Sequence, residues 1–278
     1  MLRLLDSLSL PGDAAKPNED AFAQGDAAAL VMDGATMLGD PLMPGPSDAA
    51  WIATFGARRL MAHLQDMEPK KALRAAMADA EKSFNALRLG DLQEAWQTPC
   101  ASVMLAAERD KGLEFLWLGD CGAIIAQDSG VAVVGETISK RGEESARARK
   151  IALEKNVSSA APGVRAQFMA HLRAARGRVN SGDYWLFTPD KRAAAHAQRK
   201  RVKAGPGTLL LLASDGFLAL AANYGAYDAA GLIAAAKGKG LAAMGEELRA
   251  IENDDAGGDR FARFKKSDDA TALLLEIR

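Results

Sequence analysis

Acidic residues stand repeatedly where an apolar run meets a glycine or another acid. Short apolar runs bounded by glycine predict strands, and glycine permits a sharp turn at the strand end. An acid at such a point can project from a rigid strand toward a shared centre. These acids are Asp33, Asp120 and Asp215, which adjoin glycines, and the pairs Glu19-Asp20 and Asp268-Asp269, which precede two further runs. We predict that they meet at one edge of the fold.

Several carboxylates at one site raise each other's pKa and repel, so a cluster without cations is unfavourable. A divalent metal ion is the natural counter-charge, and an all-oxygen site favours Mg²⁺ or Mn²⁺ over zinc or copper. Two such ions about 3.5 to 4 Å apart can share a water, lower its pKa and hold it in line with a phosphorus centre. The acids therefore predict metal-assisted hydrolysis of a phosphoester.

Other catalytic chemistries find little support in the sequence. The three histidines, His63, His171 and His196, lie far apart and form no H-E-x-x-H pair, which disfavours a zinc site. Neither Cys100 nor Cys121 precedes the arginine-bearing loop with which a cysteine phosphatase holds phosphate. We interpret His63 and His196 as structural or solvated and both cysteines as small core residues.

The elements that must position these acids are grouped along the chain. The predicted strands are a hairpin at 21–34, an antiparallel meander over 101–134, and single strands at 184–187, 208–213 and 271–277. Apolar residues at helical spacing predict two helices between 47 and 87, the first capped by Ser47, and a late helix over 241–251. Because helices and strands are segregated and no linker divides the chain, we predict an α+β fold in one domain, residues 1–278.

The charge balance of the 278-residue chain limits its partners. Lys and Arg total 35 against 36 Asp and Glu, so no global field attracts nucleic acid or an anionic membrane. A basic stretch between 191 and 203 lacks aromatic residues, and we interpret it as a solvated face of a helix-like segment. The two cysteines and the absence of a signal peptide or a membrane-length apolar run are typical of a cytoplasmic protein. We expect a monomer that binds neither nucleic acid nor membrane.

The acidic motifs occur in an order that resembles the metal-dependent protein phosphatases, the type 2C serine/threonine phosphatases. The resemblance covers nearly the whole chain and rests on Asn18-Glu19-Asp20, Val31-Met32-Asp33-Gly34, Ala101-Ser102 through Gly119-Asp120, Leu212-Ala213-Ser214-Asp215-Gly216 and Asp268-Asp269-Ala270-Thr271. It implies a four-layer α-β-β-α sandwich, two antiparallel sheets flanked by helices, with a centre of two Mn²⁺ or Mg²⁺ ions at one end. The segment 136–179 stands where the family often carries a variable flap.

The resemblance implies a role for each principal ligand. Asp33 would bridge both ions, Gly34 would offer its backbone carbonyl to one of them, and Glu19 would act through that ion's waters. Asp215 and Asp268 would complete the shell of the other ion.

Three further acids have smaller roles in the resemblance. Asp120 together with Asp215 is similar to the pair that holds a weaker third ion in some family members. Asp20 and Asp269 would support the ligands without touching the ions.

The sequence departs from the family pattern at two positions. The family usually places a phosphate-binding Arg four residues before the motif Glu, and here that residue is Ala15, followed by Lys16. Lys16 can supply a point charge but lacks the planar fork of arginine, so a different Arg is an alternative. Some members carry a His after Asp-Gly as a candidate general acid, and here Ala35 takes its place, so we expect a metal-bound water to protonate the leaving group. Asp33 and Lys16 are therefore the predicted catalytic residues.

Three functions remain open at this point. The leading hypothesis is a Mn²⁺- or Mg²⁺-dependent phosphatase acting on phosphoserine or phosphothreonine in a protein. A pseudophosphatase, which binds a phosphorylated partner without turning it over, is the alternative that Ala15 favours. A third possibility keeps the chemistry and replaces the protein substrate by a small phosphorylated metabolite, because the sequence defines no peptide groove.

Overall fold

The computed structural model describes residues 1–110, 112–138, 145, 146, 148–150, 153 and 165–278. The strands are β1 (Leu2–Leu10), β2 (Asp20–Gln24), β3 (Ala28–Gly34), β4 (Ala101–Arg109), β5 (Gly112–Leu118), β6 (Gly122–Gln127), β7 (Gly130–Val134), β8 (Gln198–Lys203), β9 (Leu209–Ala213) and β10 (Ala270–Ile277). The helices are α1 (Asp48–His63), α2 (Pro69–Leu87), α3 (Arg165–Arg176), α4 (Asp215–Ala222), α5 (Ala229–Lys239) and α6 (Leu241–Asp254), with short 3₁₀ helices at Ala95–Gln97 and Lys191–His196.

The strands form two five-stranded antiparallel sheets. The first has the order β1-β10-β9-β6-β7 and the second the order β2-β3-β4-β5-β8. In the first sheet β1 pairs with β10, so that Leu2 lies opposite Ile277. In the second sheet β2 to β5 follow one another, and β3 pairs with β4 from Ala28 to Gly34. The predicted meander over 101–134 is divided between the sheets, because the chain crosses from β5 to β6 at Gly119–Gly122.

Alternate side chains of each central strand face two different apolar layers. In β3, Leu30 and Met32 pack with α1 and α2, whereas Ala29 and Val31 pack against residues of the facing sheet. Helices α4 to α6 cover the outer face of the first sheet. A strand buried on both faces reads as a continuous apolar run, which explains the apolar runs that precede the acids. The α+β class and the four-layer α-β-β-α sandwich are confirmed.

The two helices predicted between 47 and 87 have recognisable starts. Ser47 caps α1, and its hydroxyl accepts hydrogen bonds from the backbone N–H groups of Ala49 and Ala50, both at 3.2 Å. Pro69 begins α2. Proline is suited to this position because an N–H group there would have no acceptor within the helix. The late helix is also present as α6. Caps and periodicity were therefore sufficient signals for these helices.

Several other elements differ from the sequence prediction. Residues 184–187 form no strand and make only isolated bridges, at Tyr184 and at Phe187. The basic stretch is a 3₁₀ helix followed by edge strand β8 rather than a helix-like segment. Charged residues on an edge strand discourage pairing with another chain, which explains its composition. Strand β1 and helices α3, α4 and α5 had no sequence prediction.

Part of the 136–179 segment, for which a flap was predicted, lies outside the described residues; its end is α3. In the portion of the chain that the structure describes, no helix has the length and apolar character needed to cross a bilayer.

Candidate metal centre

Three of the predicted acids meet at one end of the sandwich. Asp33 is the penultimate residue of β3, Asp120 follows β5 of the same sheet, and Asp215 begins α4, separated from β9 of the facing sheet by Ser214. One carboxylate oxygen from each of the three lies within 4.8 Å of the others. The structure thus brings these acids together from both sheets, as their positions at strand ends predict.

A close backbone contact places the Asp215 end of β9 beside the start of β10. A Cβ atom on Gly216 would lie 2.0 Å from the carbonyl oxygen of Asp269 and 3.1 Å from the Cβ of Asp268. Only glycine permits this approach. The same contact brings Asp215 and Asp268 close together, since each is adjacent in the chain to one of the touching residues.

Asp20 belongs to the centre more directly than its assigned supporting role suggests. It lies opposite Asp33 in the β2–β3 ladder and is 7% exposed. One oxygen, Oδ2, accepts a hydrogen bond of 2.8 Å from the hydroxyl of Ser214, which immediately precedes Asp215. The other oxygen, Oδ1, is buried and has no hydrogen-bond partner among the described residues. Adjacency to Glu19 in the motif concealed this difference between the two acids.

Two buried oxygens of the cluster lack a hydrogen-bond partner among the described residues. Asp215 Oδ1, like Asp20 Oδ1, is buried and has no hydrogen-bond partner in the described part of the chain. Burying carboxylate oxygens without partners costs free energy. A hard divalent cation can coordinate several such oxygens at once. The all-oxygen donor set therefore fits Mn²⁺ or Mg²⁺.

Burial and crowding raise the pKa values of the clustered acids. Burial is the largest cause for Asp20, whose pKa rises to about 8. Burial, together with the charges of Asp20 and Asp268, holds the pKa of Asp33 well above its ordinary value. Burial and the charges of Asp33 and Asp120 do the same for Asp215. Burial also raises the pKa of Asp120. Without metal, burial and mutual repulsion therefore favour the protonated forms of these acids.

Asp268 and Asp269 have different environments although they are neighbours. Asp268, with its side chain 33% exposed, forms an ion pair with Lys265 and accepts a hydrogen bond of 2.8 Å from the backbone N–H of Asp269. The carboxylate of Asp269 accepts two backbone N–H groups at 2.6 Å, from Gly12 and Glu19. Asp269 therefore joins the start of β10 to the loop before β2, and the supporting role that the resemblance implies stays a prediction.

Glu19 and Gly34 are joined by a hydrogen bond of 3.0 Å from the backbone N–H of Gly34 to the carbonyl oxygen of Glu19. The carboxylate of Glu19 accepts hydrogen bonds of 2.5 Å from the hydroxyls of both Thr36 and Ser47. A Cβ on Gly34 would lie 2.4 Å from the carbonyl oxygen of Ala49, so only glycine fits where β3 passes the start of α1. The water-mediated role of Glu19 and the carbonyl role of Gly34 stay predictions.

The predicted phosphate-binding lysine lies at the surface. The side chain of Lys16 is 72% exposed, and its ammonium is 3.6 Å from Asp13. Arg176, at the end of α3, instead donates hydrogen bonds to the carbonyl oxygens of Ala35, at 3.2 Å, and Thr36, at 3.4 Å. These are the residues that follow Asp33-Gly34. No sequence motif marked Arg176, because it reaches this loop only through the tertiary fold.

The remaining histidines and cysteines of interest contribute to packing. His63 Nε2 lies 2.7 Å from Asp79 between α1 and α2, and the ring of His196 stacks on Trp185 with a centroid separation of 3.3 Å. Cys100 and Cys121 are both buried and free. Burial raises the pKa of each thiol, so neither is an activated nucleophile.

Two antiparallel sheets packed face to face, helices on both outer faces and a carboxylate cluster at one end define the architecture of the PPM-type serine/threonine phosphatases. The chain belongs to the protein phosphatase 2C family, whose sequence model matches residues 13–236. The matched residues include Glu19, Asp33, Asp120 and Asp215, while Asp268 lies beyond them.

Solved structures support the same fold. The Mycobacterium tuberculosis serine/threonine phosphatase PstP/Ppp is 16% identical, with a TM-score of 0.59 and coverage of 100% of this chain and 99% of that one. MsPP from Mycobacterium smegmatis, in complex with cacodylate, is 16% identical, with a TM-score of 0.56 and 99% coverage of both chains. The PstP catalytic domain with two manganese ions is 15% identical, with a TM-score of 0.54 and coverage of 100% and 99%. A search of curated protein sequences returns no match.

Proposed function

We propose that this protein is a Mn²⁺- or Mg²⁺-dependent phosphatase that hydrolyses phosphoserine or phosphothreonine in a protein substrate. The observation that carries the proposal is the convergence of Asp33, Asp120 and Asp215 within 4.8 Å, in a centre with two unpartnered carboxylate oxygens. Family membership adds support, as do the structural neighbours described as serine/threonine phosphatases, one of them with two manganese ions.

The residues that would hold the ions are Asp33, Asp120, Asp215 and Asp268, with Gly34 and Glu19 as further candidates and Asp20 as an acid with a free oxygen. Bound Mn²⁺ or Mg²⁺ would offset the carboxylate charges, lower the pKa of a water and withdraw charge from the phosphoryl oxygens.

The surrounding hydroxyl groups orient the acids before any ion binds. Ser102 donates a 2.5 Å hydrogen bond to Asp120 Oδ1, and Ser214 fixes Asp20. Each bond uses one carboxylate oxygen and leaves the other available. Preorganised ligands of this kind reduce the cost of assembling the centre.

Two tasks fall to residues near the Asp33-Gly34 loop. The position directly after Gly34 is Ala35, whose side chain has no ionisable group. The leaving group would therefore take its proton from water. Arg176 can offer a planar guanidinium beside this loop, whereas Lys16 lies at the surface with Asp13. Among these two cations, we therefore favour Arg176 for holding the substrate phosphate.

The proposal is tested by measuring Mn²⁺-stimulated phosphate release from phosphoserine and phosphothreonine peptides. Asp33→Asn should abolish most of the activity, and Asp66→Asn, a matched change at an exposed acid of the α1–α2 turn, should leave it unchanged. Equal activity of wild type and Asp33→Asn would remove the assignment. Preference for small metabolite phosphates over all phosphopeptides would redirect it to that substrate class.

One observation favours a second function, the pseudophosphatase. Ala15 replaces the family's phosphate-binding Arg, and the neighbouring Lys16 pairs with Asp13. In that case calorimetry would show binding of a phosphopeptide, while prolonged incubation with Mn²⁺ would release no phosphate.

A further inference from the structure

We propose that Lys265 is a built-in counter-cation of the carboxylate centre, and that a divalent ion must displace its ammonium group in order to bind Asp268. Lys265 would thereby lower the affinity for the ion that Asp268 helps to hold, relative to the affinity for the ion held by the other acids. This inference rests on the proposed function, because it concerns loading of the same centre.

The first support is the ion pair itself. The ammonium of Lys265 contacts Asp268 Oδ1, and both side chains are about one-third exposed, at 34% and 33%. Among the ion pairs between described residues, this is the one that includes a predicted metal ligand. The contact therefore places a positive charge on an oxygen that a divalent cation would otherwise use.

The second support is the position of the acid that Lys265 contacts. A Cβ atom on Gly216 would lie 3.1 Å from the Cβ of Asp268, so Asp268 stands beside the start of α4. Asp215, one of the three clustered acids, directly precedes Gly216. The ammonium of Lys265 therefore contacts an acid that adjoins the cluster.

The third support is the rigid attachment of the segment that carries Lys265. On one side, the guanidinium of Arg263 donates to Asp255 and to the carbonyl oxygen of Lys266, both at 2.8 Å. On the other side, Arg249 donates a 2.8 Å hydrogen bond to the carbonyl oxygen of Asp268. The loop before β10 is thus held by hydrogen bonds on both sides of Lys265.

The neighbouring Lys266 provides an internal comparison. Its side chain is exposed, and only its backbone carbonyl takes part in holding the loop. Replacing its side chain removes the same charge from the same loop without removing a contact to a carboxylate of the centre. Lys266→Met is therefore the matched control for Lys265→Met.

Competition makes a prediction that a purely structural ion pair does not. If Lys265 only stabilised the loop, its loss would disorder Asp268 and weaken metal binding. If Lys265 competes with the metal, its loss frees Asp268, so metal binding tightens while the metal-free protein loses a counter-charge and becomes less stable. The two readouts move in opposite directions only in the second case.

The test uses the full chain stripped of metal and titrated calorimetrically with Mn²⁺. For Lys265→Met we expect the affinity of the weaker Mn²⁺ site to rise by about tenfold, because the positive charge that competes with Mn²⁺ for Asp268 is removed. We also expect a lower Tm in EDTA. Lys265→Arg, which keeps the charge, and Lys266→Met should both behave as wild type. Lys265→Gln replaces Lys265→Met if the latter fails to fold.

Unchanged or weaker Mn²⁺ binding in the variant that lacks the charge, Lys265→Met or Lys265→Gln, would overturn the inference, and so would an unchanged metal-free Tm of that variant. If wild type binds Mn²⁺ and hydrolyses phosphopeptides while Lys265→Met is indistinguishable from it, the inference fails and the proposed function stands. If neither wild type nor any variant binds Mn²⁺, both fail. Tight binding that appears only in the Lys265 variants would support the competition even where wild type shows a single site.

Discussion

The charge of the buried acid Glu114 and the charges of the buried aspartate cluster are compensated in different ways. Glu114 of β5 is 3% exposed and forms ion pairs with Arg199, at 2.5 Å, and Arg201, at 3.4 Å, both on the adjacent strand β8. Asp20 and Asp215, at the end of the sandwich, each leave one buried oxygen without a hydrogen-bond partner in the described residues. The chain supplies the counter-charge for Glu114, whereas no described side chain donates a hydrogen bond to these two oxygens of the aspartate cluster.

This comparison separates structural from functional charge. A buried acid paired within the chain stabilises the fold if the pair is kept intact. A crowded group of acids without such partners costs stability and is retained for what it binds. Substitutions at the two places should therefore change stability and activity in contrasting ways.

The largest contrast is expected from Asp215→Asn. Asp215 is one of the residues proposed to hold the ions, so we expect its loss to lower kcat/KM for a phosphopeptide by about 1,000-fold, roughly 4 kcal/mol. In EDTA the same change should raise the Tm, because one crowded carboxylate is gone. Activity is measured at saturating Mn²⁺, and unfolding is followed by calorimetry.

Glu114→Gln is the control for that experiment, since it also neutralises a buried acid on a strand. It should lower the Tm and leave kcat/KM per folded molecule unchanged. If Asp215→Asn and Glu114→Gln shift the metal-free Tm in the same direction, the distinction between the two acidic groups is wrong.

The second contrast removes cations instead of acids. Replacing both Arg199 and Arg201 by Met leaves Glu114 buried without a partner, and we expect the free energy of unfolding to fall by about 3 kcal/mol. Urea denaturation measures this loss. Arg192→Met, which breaks an ion pair of an 86% exposed side chain, should leave the free energy of unfolding almost unchanged. An equally small loss for the double variant would mean that water already compensates Glu114.

The third contrast is the pH dependence of the metal-free protein. Asp20 has a pKa of about 8 when folded, above its ordinary value of 3.8, so the folded state keeps a proton that the unfolded state releases. The contribution of Asp20 to the free energy of unfolding is greatest below about pH 4 and is lost as the pH rises toward 8. From this group alone we expect the free energy of unfolding in EDTA to fall by about 4 kcal/mol between pH 5 and 8.

Asp20→Asn should flatten that slope, and saturating Mn²⁺ should reverse it, because ion binding needs deprotonated carboxylates. Unfolding curves in urea at several pH values provide the measurement. A metal-free stability that rises steadily from pH 5 to 8 would show that the cluster is not protonated in the folded protein.

The sequence was informative where local chemistry decides the structure. Apolar runs ending at acid and glycine located the ends of β3, β5 and β9, and Ser47 and Pro69 marked the starts of α1 and α2. Convergence of Asp33, Asp120 and Asp215 followed from those strand ends once they were assumed to share one edge. Each of these features depends on residues near one another in the chain.

Features that depend on long-range contacts were not predictable in this way. Asp20 and Glu19 are neighbours in sequence, yet only the fold shows that Ser214 holds one and that Thr36 and Ser47 hold the other. The basic residues of β8 are exposed, as the predicted solvated face implies, but the sequence did not show that Arg199 pairs with Glu114 of the distant strand β5. Lys265 and Arg176 belong to no motif, and their positions depend on how loops pack at the site.

The smallest contrast concerns two cations near the centre rather than two acids. Arg176 hydrogen-bonds the loop after Asp33-Gly34, and Lys16 is at the surface, so their removal should not be equivalent. We expect Arg176→Met to raise KM for a phosphopeptide by about tenfold, roughly 1.4 kcal/mol, with a smaller change in kcat.

Lys16→Met should change KM by less than about twofold, as expected for an exposed ion pair. Arg176→Lys distinguishes the role of charge from that of the planar fork, since it keeps the charge and loses bidentate geometry, and it should recover part of the KM. Steady-state kinetics over a range of phosphopeptide concentrations give both constants. A larger effect of Lys16→Met than of Arg176→Met would return the phosphate-binding role to Lys16, the residue that the sequence predicts.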